Sequence, residues 1–238
     1  MVTRSQILEI VCDLPRHSIL HYINRSRLDE RFFRTARENL DDGYIYLVFT
    51  CSQSAASAVL RQFTHREYNH VSLAFDPELR TLLSYNGGSS SAARPGLNPE
   101  LPAALTCRKG ASALVYRLHA GRWAKWRILQ HVRAIDQEGS AYNLFGLVCG
   151  RSLRPNIMFC SQFVYTMLDL AGLAWFVKRA GRVRPTDFLD FDEGKRLEFV
   201  GALWGDGTGL RLAADGTLCL CAGGHAAAPL RRAGAQAG

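Results

Sequence analysis

The chain has 238 residues, enough for one domain with a substantial core, and its formal net charge at pH 7 is +8. Its lysines and arginines are spread along the whole chain, which indicates a basic surface and argues against a nucleic-acid-binding arm. The seven cysteines are irregularly spaced, the first residues do not resemble a secretory signal peptide, and no window holds the roughly eighteen apolar residues of a membrane span. These features predict a reduced, cytoplasmic protein that has no transmembrane segment and no nucleic-acid partner.

Residues 1–43 are predicted to form a helical extension. Ser26 is a suitable N-cap, Asp29 and Glu30 place negative charge in the first helical turn, and Gly43 ends the helix. The apolar residues that share one helical face are Leu28, Phe32, Phe33, Ala36 and Leu40.

Strand patterns dominate the next part of the chain. Residues 44–50 are β-branched and aromatic, as in a buried strand. Residues 70–86 predict a β-hairpin. Its first strand reads HVSLAF, its turn contains DPEL, and its second strand reads TLLSY. Residues 86–102 combine Gly, Ser and Pro and predict a loop, and residues 112–118 predict another strand.

Two helices follow this last strand. The first begins near Trp123, which we expect to pack in the core together with Trp126. The second covers residues 159–171 and is closed by Gly172. The predicted buried positions of the two helices are Ile128, Leu129, Val132, Ile135, Phe163, Val164, Met167, Leu168 and Ala171.

Two boundaries follow from this pattern of elements. Residues 44–204 are predicted to form one α+β domain, in which an antiparallel sheet packs against the helix that carries Cys160. Residues 205–238 are rich in Gly and Ala and poor in large apolar side chains, so we expect a disordered tail.

Cys160 stands at the start of its helix, where the sequence reads FCSQFVYTMLDLAG. A helix N-terminus stabilises a thiolate, which is the nucleophilic form of cysteine, and its free N–H groups can bind an oxyanion. Most other cysteines of a reduced protein are small buried hydrophobes. That is our interpretation of Cys12, Cys51, Cys107 and Cys149.

A cysteine nucleophile needs a base, and His70 is the candidate because it opens a predicted strand in the string YNHVSLAFD. A third polar group usually fixes the orientation of such an imidazole. If the hairpin loop holds an odd number of residues, Ser84 and Asn86 share a face with His70. If the number is even, Leu83 and Tyr85 face that way instead.

The upstream string NHVSLAFD followed much later by FCSQFV resembles the circularly permuted NlpC/P60 group of papain-like cysteine hydrolases, of the YiiX/YaeF type. The resemblance extends over roughly residues 44–203. It implies a papain-like fold with Cys160 as nucleophile, His70 as base and Ser84 as the residue that orients the base. It also implies that Tyr142 lines the site.

The resemblance predicts a cysteine hydrolase that cleaves an amide or ester bond through an acyl-enzyme and needs no metal or organic cofactor. Its substrate is expected to be a cell-wall peptide, an acylated small molecule or a lipid. One alternative is a lipid acyltransferase of related fold. Another is a non-catalytic binding module whose basic surface includes Lys178, Arg179, Arg182 and Arg184. The sequence leaves the oligomeric state open.

Overall fold

A six-stranded antiparallel sheet lies at the centre of the structure, a computed structural model that describes residues 18, 20–51, 68–88, 94–103, 112–144, 152, 154–204, 210–212 and 218–220. Its strands are β1 (Tyr44–Cys51), β2 (His70–Ala74), β3 (Leu83–Asn86), β4 (Gly96–Pro99), β5 (Ser112–His119) and β8 (Leu197–Trp204), and their order across the sheet is β4-β3-β2-β1-β5-β8. The molecule is therefore a mixed α+β structure with an antiparallel sheet, as the sequence predicted.

The helices are α1 (Glu30–Glu38), α2 (Arg122–Glu138), α3 (Cys160–Leu170) and α4 (Asp187–Asp190), with a short 3-10 turn at Ala180–Arg182. Between α2 and α3, the short strands β6 (Ala141–Tyr142) and β7 (Ile157–Met158) pair in parallel. None of the helices in the described ranges is both long and apolar enough to cross a bilayer.

Strand β4 lies inside the stretch 86–102, for which the sequence predicted only a loop. Gly, Asn and Pro are poor strand formers, but pairing with β3 places Leu97 in the core and overrides that local preference. Pro99 is tolerated because β4 is the edge strand of the sheet.

Helix α1 begins at a different cap from the predicted one. The Asp29 carboxylate accepts a hydrogen bond from the Phe32 N–H at 2.8 Å, whereas Ser26 has a φ of 52° and lies before the helix. The helix also ends at Glu38, so Gly43 belongs to the turn into β1. The predicted apolar face is buried, and Phe32 contacts the Phe75 ring edge-on at 6.4 Å.

The two tryptophans of α2 lie on the surface, so the prediction that they pack in the core was wrong. Trp123 is 77 % exposed and Trp126 is 44 % exposed, and their rings contact each other edge-to-face. The buried face of α2 is taken instead by the predicted aliphatic residues Ile128, Leu129, Val132 and Ile135.

Helix α3 ends as predicted at a glycine. Gly172 has a φ of +71°, the Leu173 N–H donates to the Leu168 carbonyl, and the Gly172 N–H donates to the Asp169 carbonyl. This is the Schellman arrangement, which favours glycine because an L side chain is strained at that φ. The predicted positions Phe163, Val164, Met167 and Leu168 are buried, and Ala171 packs against them.

The segment 205–238, expected to lack regular structure, contains two short strands. They are β9 (Leu210–Leu212) and β10 (Leu218–Leu220), which pair antiparallel. The other residues of the segment lie outside the described part of the chain.

Candidate active site

His70 is the first residue of β2 and Cys160 is the first residue of α3, and the two side chains are close enough that the charge and hydrogen bonding of Cys160 both raise the pKa of His70. Cys160 is 2 % exposed, whereas 17 % of the His70 side chain is exposed. The imidazole is therefore the more accessible member of the pair.

The position of α3 against the hairpin is fixed by aromatic packing. Helix α3 lies against β2 and β3. The Tyr85 ring of β3 packs on the Phe163 ring of α3 with centroids 5.1 Å apart, and the Tyr85 hydroxyl donates to the Asn156 carbonyl at 3.3 Å. Because Phe163 is one turn from Cys160, this contact holds the N-terminus of α3 near the start of β2.

The register of the hairpin decides which residues share a face with His70. Leu73 pairs with Leu83, so an odd number of residues separates the paired positions. Side chains alternate along a strand, and this register therefore places Ser84 and Asn86 on the same face as His70. The other arrangement left open by the sequence, with Leu83 and Tyr85 facing that way, does not occur.

Glu100 is the residue that the sequence interpretation missed. It follows the end of β4, and its carboxylate accepts four hydrogen bonds. Their donors and lengths are His70 Nε2 at 3.0 Å, Ser84 Oγ at 2.6 Å, Asn86 Nδ2 at 3.0 Å and Ser72 Oγ at 2.5 Å. The direct partner of the imidazole is thus a carboxylate, and Ser84 contacts His70 only through Glu100.

A pattern in the sequence points to such a partner. His70 and Ser72 alternate with apolar residues on β2, and Ser84 and Asn86 alternate with apolar residues on β3. A buried face lined with hydrogen-bond donors needs an acceptor, because unpaired buried donors are costly. A carboxylate on a neighbouring element is the acceptor that fits such a face.

The ionisation of His70 and Glu100 is coupled. Burial raises the pKa of Glu100, but the His70 charge and the hydrogen bonds from His70, Ser72 and Ser84 outweigh it and lower that pKa from 4.5 to about 2. Burial likewise lowers the pKa of His70, but the charges of Glu100 and Cys160 and their hydrogen bonds outweigh burial and raise it well above 6.5. At neutral pH the site therefore holds an imidazolium beside a carboxylate.

The first turn of α3 presents backbone donors beside the sulfur. The N-cap residue, Phe159, makes no side-chain hydrogen bond to the turn, and the first amide bonded within it is Phe163 N–H to Phe159 C=O. The Cys160 N–H is among the amides that a helix start leaves without an intrahelical acceptor. Ser161, by contrast, is buried and donates to the Val183 carbonyl at 2.7 Å.

Tyr142 lies close to Cys160 because β6 and β7 pair. Tyr142 is opposite Met158, and the Asn143 N–H donates to the Met158 carbonyl at 2.8 Å. Burial raises the pKa of the Tyr142 hydroxyl well above 10.0, and the nearby charge of Cys160 adds to this rise. The structure therefore brings Tyr142 to the same site as His70 and Cys160.

The remaining sequence candidates lie elsewhere. Cys51, at the end of β1, is half-buried, whereas Cys12, Cys107 and Cys149 lie outside the described residues. Across the described ranges, no group of three or more His, Cys, Asp or Glu side chains is arranged to hold a metal ion.

Comparisons of the chain with protein-family models, with curated proteins and with solved structures gave no match. The functional interpretation of the site therefore depends on its own geometry and chemistry.

Proposed function

We propose that the protein is a cysteine hydrolase that cleaves an amide or ester bond, with a papain-like fold of the permuted NlpC/P60 type. Cys160 is the nucleophile, His70 the base, and Glu100 the residue that orients and charges the imidazole. Ser84 is a positioning residue that acts through Glu100. The hydrogen-bonded chain from Cys160 to His70 to Glu100 supports these roles.

The reaction is acyl transfer to water in two steps. The Cys160 thiolate attacks the substrate carbonyl carbon and forms a C–S bond, while the electron pair moves to the carbonyl oxygen. The Cys160 N–H is the candidate donor to that oxyanion. The tetrahedral intermediate collapses, the imidazolium of His70 protonates the leaving amine or alcohol, and a thioester remains on Cys160.

Hydrolysis of the thioester regenerates the site. Neutral His70 takes a proton from water as the water oxygen attacks the thioester carbon, and the carboxylic acid leaves as the thiolate re-forms. Because Nε2 of His70 faces Glu100, Nδ1 is the ring nitrogen left for the sulfur and for these proton transfers. Glu100 stays ionised throughout and holds the ring in that orientation.

The coordination of Glu100 is the observation that carries the proposed function. A carboxylate held by four donors from two strands is costly to assemble, and it faces the imidazole beside the cysteine at a helix start. An arrangement that fixes both the charge and the orientation of His70 is what nucleophilic catalysis by cysteine requires.

A chromogenic ester tests whether an acyl-enzyme forms. With p-nitrophenyl acetate, we expect the full-length protein to release p-nitrophenolate and to gain one acetyl group on Cys160, detected by mass spectrometry of the peptide. Cys160→Ala should lose the adduct, and His70→Ala should slow its formation by about a hundredfold or more. Cys51→Ala is the matched control and should behave as the wild type. Acetylation that persists in Cys160→Ala would contradict the proposed function.

A further inference from the structure

The chain between α3 and α4 exposes two large apolar side chains. Val177 is fully exposed and Phe191 is 51 % exposed, although the rings beside them are packed in the core. An exposed apolar side chain by itself is ordinary on a protein surface. These two are unusual because the backbone that presents Val177 is fixed and because exposed arginines lie close to Val177 in the chain.

The Tyr165 hydroxyl holds Val177 outward. It donates to the Phe176 carbonyl at 3.0 Å and accepts a hydrogen bond from the Lys178 N–H at 3.2 Å. One side chain of α3 thus binds the backbone on both sides of Val177. The valine therefore stands at the apex of a fixed turn rather than on a loose loop.

A platform of stacked rings supports the second apolar side chain. The Phe191 ring stacks on Phe176 with centroids 5.1 Å apart, and Phe176 in turn contacts Tyr165 and Phe188. One face of the Phe191 ring is therefore exposed, and the other packs on rings that reach the core. Val177 follows Phe176 in the chain and Phe191 stacks on it, so these residues together form one apolar prominence.

Basic side chains follow Val177 closely in the chain. Arg179, Arg182 and Arg184 are exposed, and within the described part of the chain none of them is paired with a carboxylate. The buried Asp187 carboxylate pairs with Lys178 Nζ at 2.5 Å and also accepts from the Arg184 N–H at 2.7 Å.

Exposed carboxylates also flank Phe191, at Asp190 and at Glu193, which pairs with Lys195. Residues 177–196 hold six Lys and Arg against four Asp and Glu, so this segment keeps a net charge of +2.

We propose that Val177, Phe191, Arg179, Arg182 and Arg184 form a docking surface for an anionic phospholipid bilayer. Apolar side chains that enter the interface together with arginines that meet anionic headgroups are the two contributions that bind a protein peripherally to a membrane. A soluble anion would engage the arginines alone and would leave the presented valine and phenylalanine without a role. The bilayer is the partner that uses both.

The docking surface adjoins the candidate active site. Val183, which lies between Arg182 and Arg184, accepts the hydrogen bond from Ser161, the residue after Cys160. Docking would therefore bring the N-terminal end of α3 to the membrane surface. Binding itself does not depend on the proposed hydrolase activity, so the two proposals fail separately.

Co-sedimentation of the full-length protein with vesicles tests the docking surface. We expect binding to vesicles that contain phosphatidylglycerol, little binding to pure phosphatidylcholine, and loss of binding as salt rises, since screening weakens the arginine contribution. Val177→Asp and the triple variant Arg179→Gln, Arg182→Gln, Arg184→Gln should each reduce the vesicle partition coefficient by at least about tenfold.

Matched controls separate this surface from the general basicity of the protein. The triple variant Arg31→Gln, Arg34→Gln, Arg37→Gln on α1 removes the same charge from exposed positions and should reduce binding far less. Trp123→Ser removes an exposed aromatic residue from α2 and should also retain binding. Equal losses in the docking-surface and control variants would overturn the proposal.

Two further results would also overturn it. One is retention of vesicle binding by Val177→Asp, which would leave a purely electrostatic attraction such as that to RNA or a phosphopeptide. The other is concentration-dependent self-association that Val177→Asp abolishes, without vesicle binding by the wild type, which would assign the surface to a second copy of the chain. Circular dichroism of each variant confirms that it is folded.

Discussion

At the scale of single residues, Glu100 stands out because its negative charge acts directly on His70. Its carboxylate is nearly buried, yet its donors keep it ionised. The same carboxylate raises the pKa of His70. One residue at the edge of the sheet therefore sets the protonation state of the imidazole that contacts Cys160.

The low pKa of Glu100 predicts a specific loss of stability in acid. A carboxyl group whose pKa is lower in the folded than in the unfolded state stabilises the fold above its unfolded pKa, and this contribution is lost as the pH falls through the folded value. For Glu100 that interval is from 4.5 to about 2. This difference in pKa corresponds to a contribution on the order of 3 kcal/mol from Glu100 to the free energy of unfolding.

Glu100→Gln should therefore be less stable than the wild type by about that amount at pH 7, and the two proteins should converge near pH 2. Urea unfolding at several pH values measures the difference. Glu78→Gln is the control, because Glu78 is half-exposed and pairs with the exposed Arg80. A Glu100→Gln difference that stays constant with pH would mean that the ionised carboxylate does not stabilise the fold.

Ser84 should act on the same equilibrium through a hydrogen bond. Ser84→Ala removes the 2.6 Å bond to Glu100 while His70 keeps its direct partner. We expect a loss of about 1 kcal/mol in the free energy of unfolding at pH 7 and a rise in the pKa of Glu100. The acid-unfolding midpoint should consequently move to higher pH than in the wild type. An unchanged midpoint with a full loss of stability at pH 7 would reduce Ser84 to a packing residue.

Strand β4 brings Glu100 to the site. The backbone of its first residue, Gly96, packs closely against Asn24 and Ser140. Gly96 has a φ of +146°, and a Cβ atom at this position would lie 2.7 Å from Ser140 Oγ and 2.9 Å from Asn24 Cβ. Asn24 and Ser140 bridge the chain before α1 to the start of β6. The first residue of β4 therefore packs directly against the bridge between Asn24 and Ser140.

Gly96→Ala should destabilise the protein by about 2 kcal/mol or more, because both the φ angle and the contact are unfavourable for a side chain. Gly172→Ala separates these two causes. Gly172 also has a positive φ, but a Cβ there meets nothing within 4 Å, so only about 1 kcal/mol should be lost. Chemical denaturation of both variants tests the comparison, and equal losses would show that the close contact at β4 relaxes freely.

At the scale of the whole molecule, Lys125 joins elements that are far apart in the chain. Its side chain is fully buried on α2, and Nζ donates to the Asn39 carbonyl at 2.5 Å, to the Asp42 carboxylate and to the Phe75 carbonyl at 2.9 Å. Burial lowers the pKa of Lys125, and the Asp42 charge opposes this shift. One ammonium group thus connects the end of α1, the turn into β1 and the end of β2.

Replacing that lysine should destabilise the entire fold. Lys125→Met keeps the apolar stem but leaves the Asp42 carboxylate and two carbonyls without their donor, which should cost about 3 kcal/mol. Thermal and urea unfolding measure the loss. Arg122→Met is the control, because Arg122 lies on the same helix as Lys125 but makes an exposed ion pair, with Asp41, and its loss should change stability by less than about 1 kcal/mol. Similar values for both variants would contradict this account of Lys125.

The sequence predicts those parts of the fold where local pattern and packing agree. The apolar face of α1, the buried face of α2 and the glycine stop of α3 all follow from helical periodicity and capping. Prediction from the sequence fails where tertiary contacts, rather than local pattern, determine the secondary structure. Strand β4 is made of poor strand formers. Asp29 rather than Ser26 caps α1 because the helix begins only at Glu30, while the backbone at Ser26 is bound to the Asp136 carbonyl before the helix starts.

The candidate site divides in the same way. His70 and Cys160 were identified because each stands at the start of an element, which local pattern reveals. Glu100 was missed because its importance arises only when β4 pairs with β3 and brings the carboxylate beneath His70. The hairpin register was left open because the residue count of a loop that separates two strands is not fixed by its composition.

The rate at which iodoacetamide alkylates Cys160 tests most directly whether the sulfur and imidazole form an activated pair. An ordinary thiol is only a few per cent ionised near pH 7. We expect Cys160, although more buried, to be alkylated at least about tenfold faster than Cys51 at this pH, and His70→Ala to abolish that advantage. The proposal of an activated pair would be contradicted if Cys160 were alkylated no faster than Cys51, or equally fast without His70.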